Sequence, residues 1–214
     1  MYLKNIVKHF IVITRHRLLV FRLCCKVGQP WRGFVHDLSK YSPTEFWEGV
    51  KYFSGKHSPI TDCKKDKGYS QAWLHHKGRN KHHMEYWIDY GVGDGRDGQE
   101  PHRGICGMKM PIRYVAEMYV DRVSASKNYQ RDKFRTDSPL QYYLKGRKYY
   151  ILNEDTRAML ELLLVMLAVK GENEVNHFLK YEVLKGKVPY EKEYLINLRK
   201  NLEKDSAYHL EEEQ

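Results

Sequence analysis

Four side chains of this sequence have the types that would hold a divalent metal ion if the fold brought them together: His16, the adjacent pair His36-Asp37, and Asp121. Imidazole nitrogens combined with carboxylate oxygens suit Mg, Mn, Fe, Co or Zn. Each residue also has a plainer interpretation. His16 could be a core histidine bonded to a carbonyl, the His-Asp dipeptide could lie on the surface, and Asp121 could bond a neighbouring helix.

The helices that would carry His16 and Asp121 are indicated by apolar spacing. Residues 2 to 27 repeat apolar side chains at helical intervals, Gly28 ends the pattern, and His16 falls on the apolar face near Ile13 and Val20. Another helix opens at Pro111 and places Asp121 among apolar or small neighbours. A bare carboxylate there is costly unless it binds a metal or a cation.

The His36-Asp37 pair is predicted on a short helix over residues 30 to 40. Adjacent helical side chains diverge by about 100°, so one ion must sit across the helix surface to meet both. The run Ser42-Pro43-Thr44-Glu45 then has the pattern of a helix start, with the helix continuing to about Phe53. Glu45 could serve as a catalytic acid or base, but its capping position already explains it.

A predicted helix over residues 69 to 90 carries two histidine pairs, His75-His76 and His82-His83. A stripe with aromatic ends marks the inward face, which favours His76 and His83 as ligands: Trp73, His76, Asn80, His83, Trp87. His75 and His82 are then expected at the rim, where they and Asn80 would contact substrate. Seven helical residues span about 10.5 Å, so the helix needs a break, which Gly78 could supply. Alternatively, one pair forms a basic patch with Arg79.

The remaining chain predicts an all-α fold. Segments 55 to 67 and 91 to 110 are predicted to be surface loops, the second mobile or a lid, and no strand is expected. Further helices are expected from Ser138-Pro139, from Asn153 to Lys170, and twice over 173 to 212. We expect one metal-binding helical domain over residues 1–170, with residues 171–214 forming a helical extension packed on it.

Composition is globular and basic. Lys and Arg number 37 against 27 acids, a formal charge of +10 that suits a phosphate-bearing partner. A small phosphate compound is expected; polymeric nucleic acid is not favoured, because no recognised module accompanies the charge. Four cysteines without CxxC spacing fit a cytoplasmic location. The N-terminal segment is too charged to span a bilayer and matches a signal peptide poorly, so no membrane partner is expected.

The order His16, His36-Asp37, Asp121 resembles the H, HD, D signature of the HD superfamily of metal-dependent phosphohydrolases, and HDLSK is similar to the HDxGK form of its cyclic-nucleotide phosphodiesterase branches. Three longer segments also resemble a bacterial and phage family of unknown function: HRLLVFRLCCKVGQPWRGFVHDLSKYSPTEF, AWLHHKGRNKHH and EMYVDR. This second likeness covers roughly residues 5 to 160 and implies no activity.

The superfamily resemblance implies metal ligation by His16, His36, Asp37 and Asp121, with Lys40 directed at a substrate phosphate. In branches with two ions it implies that Asp37 bridges them and that two further histidines hold the second. We therefore expect hydrolysis of a nucleotide or other small phosphate ester, with Asp37, Lys40 and Arg79 as the catalytic residues. Two alternatives stay open: a di-iron oxygenase, and a phosphate- or nucleic-acid-binding module without catalysis.

Overall fold

A computed structural model describes residues 2–55, 57–92, 103–204 and 206–211. Within them the chain forms ten α-helices, as the sequence predicts for an all-α fold: α1 (Tyr2–Lys26), α2 (Pro30–Val35), α3 (Pro43–Lys51), α4 (Pro59–Lys67), α5 (Gln71–Lys77), α6 (Ile112–Gln130), α7 (Ser138–Gly146), α8 (Glu154–Lys170), α9 (Glu172–Tyr181) and α10 (Lys192–Glu203). Short 3₁₀ helices cover Leu38–Tyr41, Met84–Trp87, Arg131–Lys133, Arg147–Tyr149 and Val183–Lys185.

One feature outside the helical prediction is a small hairpin. Strand β1 (Ile88–Val92) pairs with β2 (Arg103–Gly107) in antiparallel register, with Tyr90 opposite Ile105. The pair covers only ten residues and leaves the all-α prediction intact. The sequence did not indicate these strands, because the stretch is rich in glycine and has little alternation of apolar and polar residues. The middle of the predicted mobile loop, residues 93–102, lies outside the described residues.

Helix α8 forms the centre of the core. Leu160, Leu162, Leu163 and Leu164 point in different directions around the helix and are all fully buried, so this part of α8 is enclosed on every side. Asn153 caps its first turn by accepting from the backbone N–H groups of Asp155 and Thr156. Helices α6, α7, α9 and α10 pack around it.

The site-bearing half of the molecule is built on α1, which packs against α2, α3, α6 and α9. Its inward side chains Ile13, Val20 and Leu23 are buried against these neighbours. Helix α5 packs on α3, and α4 packs on α3 as well. No helix among the described residues has the length and apolar character needed to cross a membrane.

Three sequence-based element predictions are corrected. Segment 55 to 67, predicted to be a loop, contains α4, which ends at Gly68 in the left-handed conformation. Its many lysines and aspartates leave it without the apolar spacing by which a helix is recognised. The predicted helix over 69 to 90 is two pieces, α5 and the 3₁₀ turn Met84–Trp87. The predicted helix over 30 to 40 ends at Val35.

Candidate metal centre

The His36-Asp37 pair lies on a break in the chain rather than on a helix. After α2 ends, His36 is extended (φ −53°, ψ 129°) and Asp37 is left-handed (φ 53°, ψ 26°) before the chain resumes as a 3₁₀ turn. Aspartate tolerates this conformation better than most residues, at a cost on the order of 1–3 kcal/mol. The break turns both side chains inward, and each is 1% exposed.

A first cluster joins this pair to α1 and α6. His16 Nε2 lies 2.9 Å from Asp121 Oδ1, and His36 Nε2 lies 3.6 Å from the same oxygen. Asp37 Oδ2 is 3.3 Å from His36 Nε2 and 3.8 Å from His16 Nε2. One ligand atom from each of the four residues fits within 4.8 Å of the others, so the cluster could hold a metal ion.

A second cluster uses the other oxygen of Asp37. Oδ1 lies 3.3 Å from His76 Nε2 and 3.4 Å from His82 Nε2. His83 completes the group, with its Nε2 2.9 Å from His76 Nε2. These four ligand atoms also lie within 4.8 Å of one another. Asp37 is therefore common to two groups of possible ligands.

The expectation that His82 lies at the rim was wrong, because the helical stripe used to predict it stops at Lys77. The chain turns after Gly78 and brings the second histidine pair back over the first. His82 is 2% exposed and faces Asp37. His75, the other predicted rim residue, is half-buried and lies outside the groups that could hold a metal.

Glu117 on α6 is a site residue that the sequence analysis missed. Its Oε1 lies 3.0 Å from His36 Nδ1 and 3.2 Å from His82 Nδ1. Its Oε2 accepts from Arg32 Nη1 at 3.0 Å. The available signal was its position four residues before Asp121, which places both carboxylates on one face of α6.

Glu45 has a similar position on the other side. Ser42 caps α3 as predicted, since its hydroxyl accepts from the Glu45 backbone N–H. The Glu45 carboxylate, however, does not return to the cap, because the Ser42 backbone N–H donates to the Ser39 carbonyl. It lies 2.7 Å from His76 Nδ1 and 2.6 Å from His75 Nδ1 instead. Capping alone therefore does not explain Glu45, which positions two histidines.

The electrostatics of the clusters follow from this mutual packing. Burial disfavours the charge on Glu117, but hydrogen bonds to His36 and His82 lower its pKa to about 2. Burial is likewise outweighed at Asp37, where His36 and Lys40 lower the pKa of the carboxyl well below its usual range. Both carboxylates are therefore ionised near neutral pH, the form that a cation requires.

Neutral histidines are favoured at two positions. Burial lowers the pKa of His16, although the Asp121 carboxylate, 2.9 Å from its Nε2, opposes this. Burial and the neighbouring His82 lower the pKa of His83 well below its usual value. A neutral imidazole has the free lone pair that a metal needs.

The residues predicted to bind substrate differ in how close they lie to the two clusters. Lys40 Nζ lies 2.6 Å from Asp37 Oδ2 and lines a cavity of about 80 Å³ that His9, Glu45 and Tyr129 also line. Asn80 donates to Ser39 Oγ at 2.8 Å and to the His76 carbonyl at 2.9 Å. Lys40 and Asn80 thus lie at the clusters. Arg79 is exposed and donates to the His75 carbonyl.

The fit to a metal rests on buried atoms without a hydrogen-bond partner. The Nε2 atoms of His16, His36 and His82 are buried and make no hydrogen bond of acceptable geometry in the described structure. Asp37 Oδ1 is likewise buried without a hydrogen bond among the described residues, whereas Asp37 Oδ2 is paired with Lys40 Nζ at 2.6 Å. Leaving such groups unsatisfied costs about 1–3 kcal/mol each, and a bound cation would remove that cost. The donor set suits a divalent ion with mixed nitrogen and oxygen ligands.

Comparison with known proteins identifies a family. No curated protein and no solved structure matches significantly. A family described as "Family of unknown function (DUF5662)" matches residues 5–166, which include every residue of both clusters and both carboxylates that position them. Since that match spans about three quarters of the sequence, the chain belongs to the DUF5662 family.

Proposed function

We propose that the protein is a metal-dependent phosphohydrolase of the HD type, acting on a nucleotide or other small phosphate ester with two divalent cations at the clusters. The observation that carries the proposal is the position of Asp37. Its Oδ2 faces His16 and His36, whereas its Oδ1 faces His76 and His82. A carboxylate directed at two sets of nitrogen ligands is the arrangement of a bridging ligand in a two-metal site.

The histidines would bind through Nε2, because their other nitrogens are already engaged. Glu117 faces the Nδ1 atoms of His36 and His82, and Glu45 faces that of His76. A carboxylate at Nδ1 keeps the proton on that nitrogen, so Nε2 carries the lone pair. Three ligands on three segments are thereby held in one tautomer and orientation.

The phosphate would be bound by the basic residues at the clusters. When bound, a divalent cation lowers the pKa of a coordinated water and polarises a phosphoryl oxygen. Lys40 stabilises the charge on Asp37. Because its side chain is 27% exposed, its ammonium group could also donate a hydrogen bond to a phosphate oxygen. Arg79 approaches from the surface and would neutralise the remaining charge. His75, which contacts Glu45, and Asn80, which donates to the His76 carbonyl, would contact the substrate beside it.

The test begins with metal analysis of protein purified without chelators. We expect about two equivalents of a transition metal and hydrolysis of phosphomonoesters or phosphodiesters with added Mn, Mg, Co or Fe. Asp37→Asn should remove both ions and the activity while helical circular dichroism stays unchanged, because asparagine also tolerates the left-handed conformation. Asp132→Asn, at an exposed carboxylate, is the matched control. Full metal content in Asp37→Asn would refute the proposal.

A di-iron oxygenase is the second candidate, and the high histidine count favours it. The second cluster offers three imidazoles and one carboxylate, a set that holds iron well. Oxygen consumption with an iron spectrum, and no phosphate release, would decide for this candidate. Salt-dependent binding of RNA or phosphate without turnover would instead indicate a binding module.

The proposed location is the cytoplasm. All four cysteines are free thiols, and Cys24 and Cys63 are buried. Burial raises the pKa of the Cys24 thiol well above its usual value, so this side chain is unreactive. A reducing compartment would keep the two more accessible thiols, Cys25 and Cys106, in the same state.

A further inference from the structure

Helix α1 has a second apolar face, which points away from the core. Five large apolar side chains on this face are between 38% and 79% exposed: Leu3, Val7, Ile11, Leu18 and Phe21. Viewed along the helix axis, all five lie within about a quarter-turn of Leu18, since each residue advances about 100°. A helix that packs on one side normally presents polar residues on the other. This outward apolar face therefore needs a separate explanation.

Helix α2 continues the same surface. Trp31 is 71% exposed and Phe34 is 58% exposed, and their rings stack with centroids 5.7 Å apart. Gly33 allows α2 to lie against α1, because a Cβ at this position would be 2.9 Å from the Phe21 Cα and 2.6 Å from the Cys24 Cβ. Gly33, which lies between the two aromatic residues in the sequence, thus brings α2 against α1 at Phe21. We call these seven side chains of α1 and α2 the outer apolar surface.

A row of basic residues borders the outer apolar surface along α1. Its members share one flank of the helix and are exposed: Lys4, Lys8, Arg15, Arg22 and Lys26. Lys26 forms an ion pair with Glu172, whereas the other four form none with described residues. The first 36 residues contain seven Lys and Arg and no Asp or Glu. The five charges of the row equal half of the protein's formal net charge of +10.

From this combination we propose that the outer apolar surface and its basic row bind the anionic face of a phospholipid bilayer, with α1 lying in the plane of the interface. Apolar side chains would enter the acyl boundary while Lys and Arg meet the lipid phosphates. Trp31 suits the headgroup level, where tryptophan is enriched. The expectation of no membrane partner came from charges that prevent spanning; a helix lying on the surface requires those same charges.

Other occupants fit less well. The seven side chains offer roughly 730 Å² of apolar area if a large apolar side chain presents about 180 Å², which is close to the area of one face of a dimer. A second copy, however, would bring one unpaired basic row close to another, with no acidic side chain within the first 36 residues to separate them. A nucleic acid would satisfy the basic row but would leave the aliphatic side chains Val7, Ile11 and Leu18 uncovered.

The proposal is independent of the metal centre. His16 lies about 160° around α1 from Leu18, because two residues advance the helix by about 200°. Lipid binding on the outer surface would therefore leave the clusters untouched. Variants at Ile11 or Leu18 are expected to keep the metal content of the unaltered protein.

The experiment measures cosedimentation of the full chain with vesicles of phosphatidylcholine alone or with a quarter phosphatidylglycerol. We expect partition into the anionic vesicles only, weakening as salt is raised. The double variant Ile11→Ser/Leu18→Ser should bind at least about tenfold more weakly, since each buried methylene contributes to partition. Lys8→Gln/Arg15→Gln should lose about tenfold or more and show a flatter salt dependence.

The control variant Tyr149→Ser/Lys170→Gln changes one exposed aromatic and one exposed lysine away from α1, and its binding should be unchanged. A second measurement needs no destabilising change: anionic vesicles should shift tryptophan emission to shorter wavelength, and Trp31→Phe should abolish the shift. Absence of partition, or equal partition by all variants, would overturn the proposal. So would a dimer in light scattering that Ile11→Ser/Leu18→Ser dissociates, or RNA binding by the basic row that excludes vesicles.

Discussion

At the scale of single residues, Glu117 orients the imidazole rings of two histidines. One oxygen faces the Nδ1 atoms of both His36 and His82, and the other accepts from Arg32. An ionised carboxylate offers two strong acceptor oxygens, and protonation would turn one of them into a donor. Glu117→Gln replaces one acceptor with a donor and should disturb either Arg32 or the histidines.

We therefore expect Glu117→Gln to weaken metal binding by about 10–100-fold without changing the number of ions bound at saturation. Competition with a chromogenic chelator would measure the dissociation constants. Glu174→Gln, at an exposed position on α9, should leave them unchanged. Equal affinity in Glu117→Gln and the control would mean that this carboxylate does not position the ligands.

The two histidines assigned to the rim from sequence should behave differently. His82→Ala should remove one ion from the protein, because its Nε2 faces Asp37. His75→Ala should retain both ions and reduce affinity modestly, because His75 contacts only Glu45 within the site. Metal stoichiometry in the two variants decides the matter, and loss of an ion in His75→Ala alone would contradict the geometry.

Sequence reasoning found most residues of the clusters but not those that orient them. His16, His36, Asp37 and Asp121 stood out because a metal explains polar groups on apolar faces. Glu117 was overlooked because Asp121, on the same helix, already supplied the acidic ligand of the predicted site. Glu45 was hidden by a capping pattern, and its carboxylate contacts depend on how α5 packs against α3, which helical spacing alone does not reveal.

At the scale of helices, Glu172 ties α9 to two others. Its carboxylate bonds Lys127 on α6 and Lys26 at the end of α1, the latter at 3.1 Å. Burial would raise the pKa of Glu172, but the two lysines outweigh it, so the pKa falls below its ordinary value of 4.5. Stabilisation from this depressed pKa is complete above pH 4.5 and is lost as the pH falls through the folded-state value.

Glu172→Gln should accordingly lower the free energy of unfolding by about 1 kcal/mol at pH 7 and by less at pH 3. Urea denaturation at both pH values would measure the difference. Glu174→Gln, two residues away and exposed, should show neither effect. An equal loss at both pH values would indicate that charge is not the source of the stability.

Helix bounds were predictable where the apolar period is uninterrupted. Sequence placed both ends of α1 and α8 and the start of α6 almost where they are observed, since these helices carry their own start or stop residues and a continuous inward face. The prediction failed at His36-Asp37 and after Lys77, where the chain leaves the helical conformation in a run of helix-compatible residues. In both places the break turns possible ligands towards Asp37, so tertiary contacts overrode local preference.

At the scale of the whole molecule, the last helix completes the core. Helix α10 packs on α8, Leu195 is fully buried, and Arg199 is 1% exposed beside Glu161 on α8. Tyr143 and Arg147 also bond Glu161. We propose that residues 171–214 are part of the same folding unit rather than a dispensable extension, although the family match ends at residue 166.

A chain ending at residue 186 should therefore lose cooperative unfolding and aggregate, because the side of α8 facing α10 would be exposed together with the Glu161 charge. Thermal melting followed by circular dichroism would test this. In the full chain, Tyr194→Ser at a 42% exposed position on α10 should melt within a few degrees of the unaltered protein. A cooperative transition in the shortened chain would show that α10 is an accessory helix.

The sharing of Asp37 between the two clusters has a thermodynamic consequence. Each ion that binds would change the charge and orientation of the carboxylate offered to the next, so the two loading steps are linked. By reciprocity, whatever the first ion does to the affinity of the second, the second does equally to the first. The two sites would then not fill independently as the metal concentration rises. Depending on the sign of the coupling, the protein with one bound ion would be either rarer or more abundant than two independent sites would give.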